Sequence, residues 1–232
     1  MPAMAEVPAG FWKRYAAWSL DAAILALPVW LLSAERIRTQ ARALLDSTVA
    51  LSDQVAQRMV DMLMEGGDPV ALAHRLTADS DVREAIRGVA AGTYALAATP
   101  VAWFAVFAAI YWIAFEGSAW QATPGKRALG LRAAGLDGES MSWPRTALRH
   151  AAGALSWLTL NLGHALAAWT PQKRALHDLI AGTRVLAKDG SMPGWAKLWL
   201  GLQIVAAIAA CAWLYLTLLS AMQASVDNAL LQ

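Results

Sequence analysis

Three long apolar runs constrain this chain more than any other feature of its sequence. The runs 15–32, 89–115 and 198–222 contain one charged residue in total, Asp21. A helix needs about 20 apolar residues to cross a hydrocarbon core of about 30 Å. Inside lipid, only helices and closed barrels satisfy all their backbone hydrogen bonds. The runs therefore predict an all-α membrane protein, built as a small transmembrane helix bundle with three spans.

The composition excludes the main alternatives to a membrane protein. Hydrophobic residues make up 58% of the chain and charged residues 16%, whereas about 25% of a soluble domain is charged. The single cysteine, Cys211, excludes a disulfide framework and a thiolate metal site. A net charge of +2 is too small to indicate nucleic acid. We expect the lipid bilayer as a partner, with no nucleic acid, no cofactor and no metal.

The distribution of charge predicts the orientation in the membrane. Segment 33–88 carries seven arginines and nine acidic residues, whereas 116–149 and 171–197 together carry ten basic and five acidic residues. Loops rich in Lys and Arg stay in the cytoplasm. We therefore expect the tail 1–13 and both basic stretches in the cytoplasm. Segment 33–88 and the tail 223–232 are expected on the outer side.

A short β element is predicted on the cytoplasmic side. Residues 130–134 and 139–143 flank Asp137-Gly138, a pair typical of a tight hairpin turn. Residues 183–187 form another candidate strand. Because a two-stranded hairpin is marginally stable, a third strand would help to hold it. The strands thus indicate that the two basic stretches lie together.

Segment 146–170 is a weaker membrane candidate with two interpretations. As a plain spanning helix, it would place the two basic stretches on opposite sides of the membrane. We therefore prefer a re-entrant helix–break–helix hairpin, which enters the bilayer and returns. The break is expected at Gly153 or around 161–163. Such a break inside the bilayer needs cover from protein.

The polar segment 33–88 is predicted to be an extramembrane helical hairpin. Its apolar residues recur at spacings of three and four, which places them on one helix face. They are Ile37, Ala41, Leu44, Thr48, Leu51, Val55 and Met62. This stripe is either the packing seam of the hairpin or a docking surface for a protein partner.

The chain thus divides into nine predicted segments. In chain order these are the tail 1–13, the first membrane helix 14–32, the hairpin 33–88, the second membrane helix 89–115, the basic loop 116–145, the uncertain segment 146–170, the cytoplasmic segment 171–197, the last membrane helix 198–222 and the tail 223–232.

Three motifs resemble those of the RDD family of membrane proteins. They are Gly-Phe-Trp-Lys-Arg-Tyr at 10–15, Gln-Ala-Thr-Pro-Gly-Lys-Arg-Ala-Leu-Gly-Leu-Arg at 121–132, and Lys-Arg-Ala-Leu-His-Asp-Leu-Ile-Ala-Gly-Thr-Arg-Val at 173–185. We call them the opening, central and closing motifs. The arginine and two aspartates that name the family correspond to Arg14, Asp21 and Asp178. The resemblance covers roughly residues 8–32 and 93–188, so the enlarged 33–88 segment and the last helix depart from the usual pattern.

The resemblance implies a bacterial inner-membrane protein with a suspected role in transport, and some family members are linked to sodium/proton exchange. One hypothesis is transport of a small ion or solute, using Asp21 with Arg14 or Arg149. The other is a non-enzymatic scaffold or assembly factor that docks a partner through 33–88. Neither hypothesis includes a catalytic residue. The sequence defines neither a substrate nor an oligomeric state.

Several polar residues are candidates for pairing within the membrane. Arg14 and Asp21 are seven residues apart and share a helix face. Asp21 is either a cation or proton site or one half of a structural ion pair, with Arg149 as its expected partner. A group of neighbouring residues is predicted to form interhelical hydrogen bonds or a proton relay. It comprises Arg149, His150, Asn161 and His164.

Two further predictions concern the cytoplasmic motifs. The basic cluster Lys126, Arg127 and Arg132 is expected to contact anionic lipid headgroups. Asp178 is expected to clamp the closing motif onto the central one by pairing with an arginine. The candidate partners are Arg14, Arg127 and Arg145.

Overall fold

Eight helices and three short strands make up the part of the chain that the computed structural model describes, residues 6–65 and 68–230. The helices are α1 (Phe11–Met64), α2 (Pro69–Ala78), α3 (Ser80–Gly117), α4 (Pro124–Ala128), α5 (Trp143–Leu158), α6 (Leu162–Trp169), α7 (Leu176–Ala181) and α8 (Gly194–Leu230). The strands are β1 (Val7–Pro8), β2 (Leu131–Gly135) and β3 (Thr183–Ala187).

Three of these helices are long and apolar enough to cross a membrane. They cover Phe11–Met62, Ser80–Gly117 and Gly194–Asn228. The predicted class, an all-α membrane protein with three spans, is confirmed. Helix α1 has 54 residues, which at 1.5 Å per residue gives a length of about 80 Å. It is therefore much longer than a bilayer core requires.

The chain divides into two compact units, and the boundaries fall within α1, α3 and α8. Unit 1 contains the residues up to 28 together with 104–203, and unit 2 contains 29–103 and the residues from 204 onward. All three sequence motifs lie in unit 1. Its core is made mainly of small side chains around the sheet, namely Ala9, Ala16, Ala17, Leu129, Leu131, Val185, Ala187 and Ala196.

The three strands form one antiparallel sheet in the order β1-β3-β2. Strand β3 pairs with β2 from Leu131↔Ala187 to Gly135↔Thr183, so the expected contact between the central and closing motifs is present. The predicted strand 139–143 is wrong. After one backbone hydrogen bond from Gly135 N to Glu139 O, this stretch leads into α5, which begins at Trp143. The third strand is β1 instead.

The apolar stripe of the 33–88 hairpin is a packing seam. All seven stripe residues are partly or fully buried within the structure. A Cβ atom built on Gly92 of α3 would lie 3.2 Å from Leu44 Cδ1, so the helices approach closely here. An ion pair at 3.0 Å joins Arg58, near the end of α1, to Asp79, the residue that precedes α3. The stripe itself is therefore unavailable as a docking surface.

Segment 146–170 folds as two helices with a sharp break between them. Helix α5 ends at Leu158, and Leu160 and Asn161 take left-handed backbone angles, with φ of 51° and 66°. The break lies at the second predicted position, whereas Gly153 is helical. Helices α5 and α6 have 16 and 8 residues. Because a span needs about 20 residues, neither crosses a bilayer by itself.

Glycine substitutions can test the left-handed backbone at the break. Leu160 is fully solvent- or lipid-facing and contributes little packing, while its left-handed angle costs about 1 kcal/mol for a non-glycine residue. We expect Leu160→Gly to stabilise the protein, measured by thermal unfolding in detergent. The matched control is Leu158→Gly, also exposed but helical, which should destabilise by roughly 0.5–1 kcal/mol. Equal destabilisation by both changes would contradict the break.

Candidate functional site

The fully buried carboxylate of Asp178 is the centre of the candidate site. Arg14 donates to it from Nη1 at 2.5 Å, and Arg149 Nη2 lies 3.0 Å from its other oxygen. The backbone N–H of Ala175 and the hydroxyl of Thr183 donate at 3.0 and 3.3 Å. Burial by itself raises the pKa of this carboxyl, but the charges of Arg149 and Arg14 outweigh burial and hold the pKa well below its ordinary value. The carboxylate is therefore ionised at neutral pH.

Hydrogen bonds from arginine side chains to backbone carbonyls hold the closing motif around Asp178. Arg174 donates from Nη2 to the carbonyl of Asp178 at 2.9 Å and from Nε to that of Thr183 at 3.1 Å. Arg14 donates from Nη2 to the carbonyl of Lys173 at 2.5 Å. Gly182 ends α7 with a left-handed φ of 63° and turns the chain into β3. The motif thus presents one carboxylate to α1 and α5.

Arg149 extends this network to the end of α3. Its Nη1 atom lies 3.6 Å from Glu116 Oε2, and Lys126 Nζ pairs with the other oxygen of Glu116. Glu116 is only 4% exposed. Glu116 is not among the residues predicted from the sequence, although one signal pointed to it. Glu116 is the first charged residue after the uncharged run 89–115.

Asp21 is held by neutral donors. Thr123 Oγ1 donates to one carboxylate oxygen at 2.5 Å, while the backbone N–H of Gly125 and the hydroxyl of Tyr111 donate to the other at 2.7 and 2.8 Å. The expected pairing of Asp21 with Arg149 is wrong, because Arg149 already binds two other carboxylates.

The central motif requires glycine at position 125. A Cβ atom there would lie 2.3 Å from the backbone oxygen of Ala17 and 2.8 Å from Asp21 Cγ. The close approach lets the Gly125 N–H reach the carboxylate. Thr123 also caps α4, because its side chain accepts from Lys126 N. The Thr-Pro-Gly sequence thus binds Asp21 through the Thr123 hydroxyl and the Gly125 N–H.

The buried network contains three acids and three cations, namely Asp21, Glu116, Asp178, Arg14, Lys126 and Arg149. Each of the three carboxylates has donors within the structure. Glu116 and Asp178 are paired with cations, whereas Asp21 is held by neutral donors. Burying a charge is costly unless it is paired or hydrogen-bonded, so these contacts allow the carboxylates to lie inside the fold.

Histidines surround one side of the network. His177 Nε2 lies 3.2 Å from Arg149 Nη2, and the His177 ring is 5.0 Å from that of His164. Burial and the charge of Arg149 hold the pKa of His177 well below its ordinary value, so this ring is neutral at neutral pH. His150 stacks on Trp112 with the ring centres 6.5 Å apart. Asn161 meets His164 through its backbone carbonyl, which accepts from His164 N at 3.0 Å.

The predicted basic cluster is divided among different environments. Lys126 is buried against Glu116, so its expected contact with lipid headgroups is wrong. Arg132 binds the carboxylate of Glu6, with its Nε and Nη2 atoms at 2.8 and 2.6 Å from the two oxygens. Arg127 is exposed. Of the three, it alone has the exposure that the headgroup prediction requires.

The pairing of Asp178 with Arg14 can be tested by a double-mutant cycle. We expect Asp178→Asn and Arg14→Gln each to lower the free energy of unfolding by about 3–5 kcal/mol, because each removes one charge from a buried cluster of mutually paired charges. The double mutant should lose less than the sum of the two. Glu35→Gln is the control, since Glu35 and its partner Arg38 are both exposed and the change should cost under about 1 kcal/mol. Unfolding in detergent measures all four variants. An Asp178→Asn protein as stable as Glu35→Gln would contradict the buried clamp.

The comparison with known protein families agrees with the motifs. The family model described as the RDD family matches residues 8–182, which is more than half of the chain. No curated protein and no solved structure matches the chain. The matched region includes the arginine and both aspartates whose contacts define the site. The chain therefore belongs to the RDD family, and with its three long apolar helices it is a membrane protein of that family.

Proposed function

We propose that this protein is a non-enzymatic membrane scaffold. In this proposal, the family's charges hold unit 1 together, and the 33–88 hairpin docks a protein partner. The observation that carries it is the saturation of Asp21, which is fully buried and accepts three hydrogen bonds from within the fold. An ion or proton using this carboxylate would have to displace donors that already fit it. Asp21 is thus better suited to holding helices than to exchanging a cargo.

The hairpin offers exposed apolar residues at a distance from the first apolar run. Leu45 and Val49 lie one turn apart on α1 and are both exposed. Leu45 is 13 residues beyond Leu32, which along a helix is about 20 Å. Apolar side chains exposed beyond the lipid are typical of protein contact surfaces. Neither residue belongs to the buried stripe, so docking here leaves the hairpin seam intact.

The orientation proposed from the sequence completes this account. The N-terminus, the sheet and the basic stretches face the cytoplasm of a bacterium, and the hairpin lies outside the inner membrane. Segment 146–170 enters the bilayer from the cytoplasmic side and returns. Its two short helices and the exposed leucines around their break support this placement, namely Leu155, Leu158, Leu160 and Leu162.

Transport of a small ion or solute is the second candidate. The observation in its favour is the histidine pair formed by His164 and His177. The Nδ1 atoms of both rings are buried without a hydrogen-bond partner among the described residues. Two imidazoles 5.0 Å apart could pass a proton, since the ring can both donate and accept. In this alternative the histidines act together with the charges around Arg149.

The test combines crosslinking and flux. A photocrosslinking amino acid placed at Leu45 or Val49 should capture one discrete partner in native membranes. When the crosslinker is placed at a third position nearby on α1, Leu45→Glu combined with Val49→Glu should abolish this capture. Gln54, also exposed on α1, is the matched control, where Gln54→Glu should leave capture unchanged. The purified wild-type chain in liposomes should carry sodium, potassium or protons no faster than empty liposomes.

The opposite results would establish the second candidate. Ion flux above that of empty liposomes, lost in Asp21→Asn or His177→Gln without a change in melting temperature, would overturn the scaffold proposal. Capture that is equally strong at Gln54, or that survives the double glutamate variant, would reject the hairpin as its docking surface.

A further inference from the structure

We propose that the corner between α3 and α4 binds one anionic phospholipid, with an acyl chain in an apolar cavity and the phosphate at Arg127. The cavity has a volume of about 360 Å³, which is within the range of about 300–1,000 Å³ of small-molecule sites. Its lining is almost entirely apolar and comes from the last turn of α3 and the following loop, namely Ala114, Phe115, Ser118, Ala119 and Trp120. This site is independent of the proposed scaffold function.

The wall of the cavity is preformed. The rings of Phe115 and Trp120 are 5.6 Å apart and form one side. Ser118 holds the loop, since its hydroxyl accepts from Trp120 N at 3.1 Å and its carbonyl accepts from Gln121 N at 3.0 Å. A preformed apolar wall lowers the ordering cost of binding. Trp120 lines the cavity and is 49% exposed.

Arg127 supplies the charge that selects an anionic ligand. Its guanidinium carbon lies 4.2 Å from the centre of the Trp120 ring, so the planar group is held over the cavity wall. The neighbouring cations Lys126 and Arg132 are neutralised by Glu116 and Glu6. Arg127 is exposed and makes no ion pair with any residue that the structure describes. A stacked guanidinium in this position can bind phosphate oxygens through two N–H groups.

The position along α3 identifies the ligand as a lipid. Helix α3 is one of the three candidate spans and ends at Gly117, next to the residues that line the cavity. Tryptophan and arginine at the end of a span are typical of the headgroup level of a bilayer. An apolar cavity next to a free cation at that level matches an acyl chain joined to a phosphate. A soluble phosphate compound would use only the cation.

Binding of lipid to the full-length protein, purified in detergent and measured by native mass spectrometry, tests this site. We expect phosphatidylglycerol to bind at least about tenfold more tightly than phosphatidylcholine with the same acyl chains. Both lipids carry a phosphate, but the choline cation of phosphatidylcholine lies next to that phosphate and weakens its attraction to Arg127. Arg127→Gln should weaken phosphatidylglycerol binding by a similar factor. Ala114→Trp, which fills the cavity from an exposed position, should weaken it too.

Arg145→Gln is the matched control, because Arg145 is also exposed and lies in the same unit. It should change binding less than twofold. Equal affinities for the two lipids, or equal effects of Arg127→Gln and Arg145→Gln, would overturn the proposal. Binding of glycerol 3-phosphate as tight as that of phosphatidylglycerol would also overturn it, since the acyl chain would then contribute nothing.

Discussion

Two arginines from different parts of the chain share the buried carboxylate of Asp178. Arg14 comes from α1 and Arg149 from α5, while Asp178 itself lies in α7. Because Asp178 is fully buried, removing either arginine would leave its charge with one cation fewer, at a cost of several kcal/mol. Arg149 also reaches Glu116 at the end of α3. The packing of four helices in unit 1 therefore depends on one set of mutually neutralising charges.

Helix α1 connects this network to the rest of unit 1. Arg14 and Asp21 are seven residues apart, which places them on one face about 10 Å apart along the axis. Arg14 binds the closing motif and Asp21 binds the central motif. Strands β2 and β3, which belong to those two motifs, are then adjacent and pair in the sheet. The family's arginine and aspartates thus explain how three motifs, far apart in sequence, meet around one helix.

Much of this fold follows from local patterns in the sequence. The three spans follow from the length of the apolar runs. The interrupted segment predicts a helix break, with Gly153 and 161–163 as its two candidate positions. The need of a buried carboxylate for a cation predicts an arginine partner for Asp178, with Arg14 as one of three candidates. Tertiary choices could not be read in this way. Nothing local assigns Arg149 to Asp178 rather than to Asp21, since both carboxylates were available. Strand β1 has two residues, too few to show an alternation of apolar and polar side chains. It is defined by its pairing with the edge of β3, which is a tertiary contact.

The most direct measurement of the central claim is hydrogen–deuterium exchange on Glu116→Gln. This change keeps the shape of the side chain but leaves Lys126 and Arg149 with one negative charge fewer. If the charges form one cooperative network, backbone amides in 143–158 and 176–187 should lose protection together, by a similar factor, while those in 33–64 keep theirs. Loss of protection confined to the last turn of α3 would contradict the account, because each ion pair would then stabilise only its own neighbourhood.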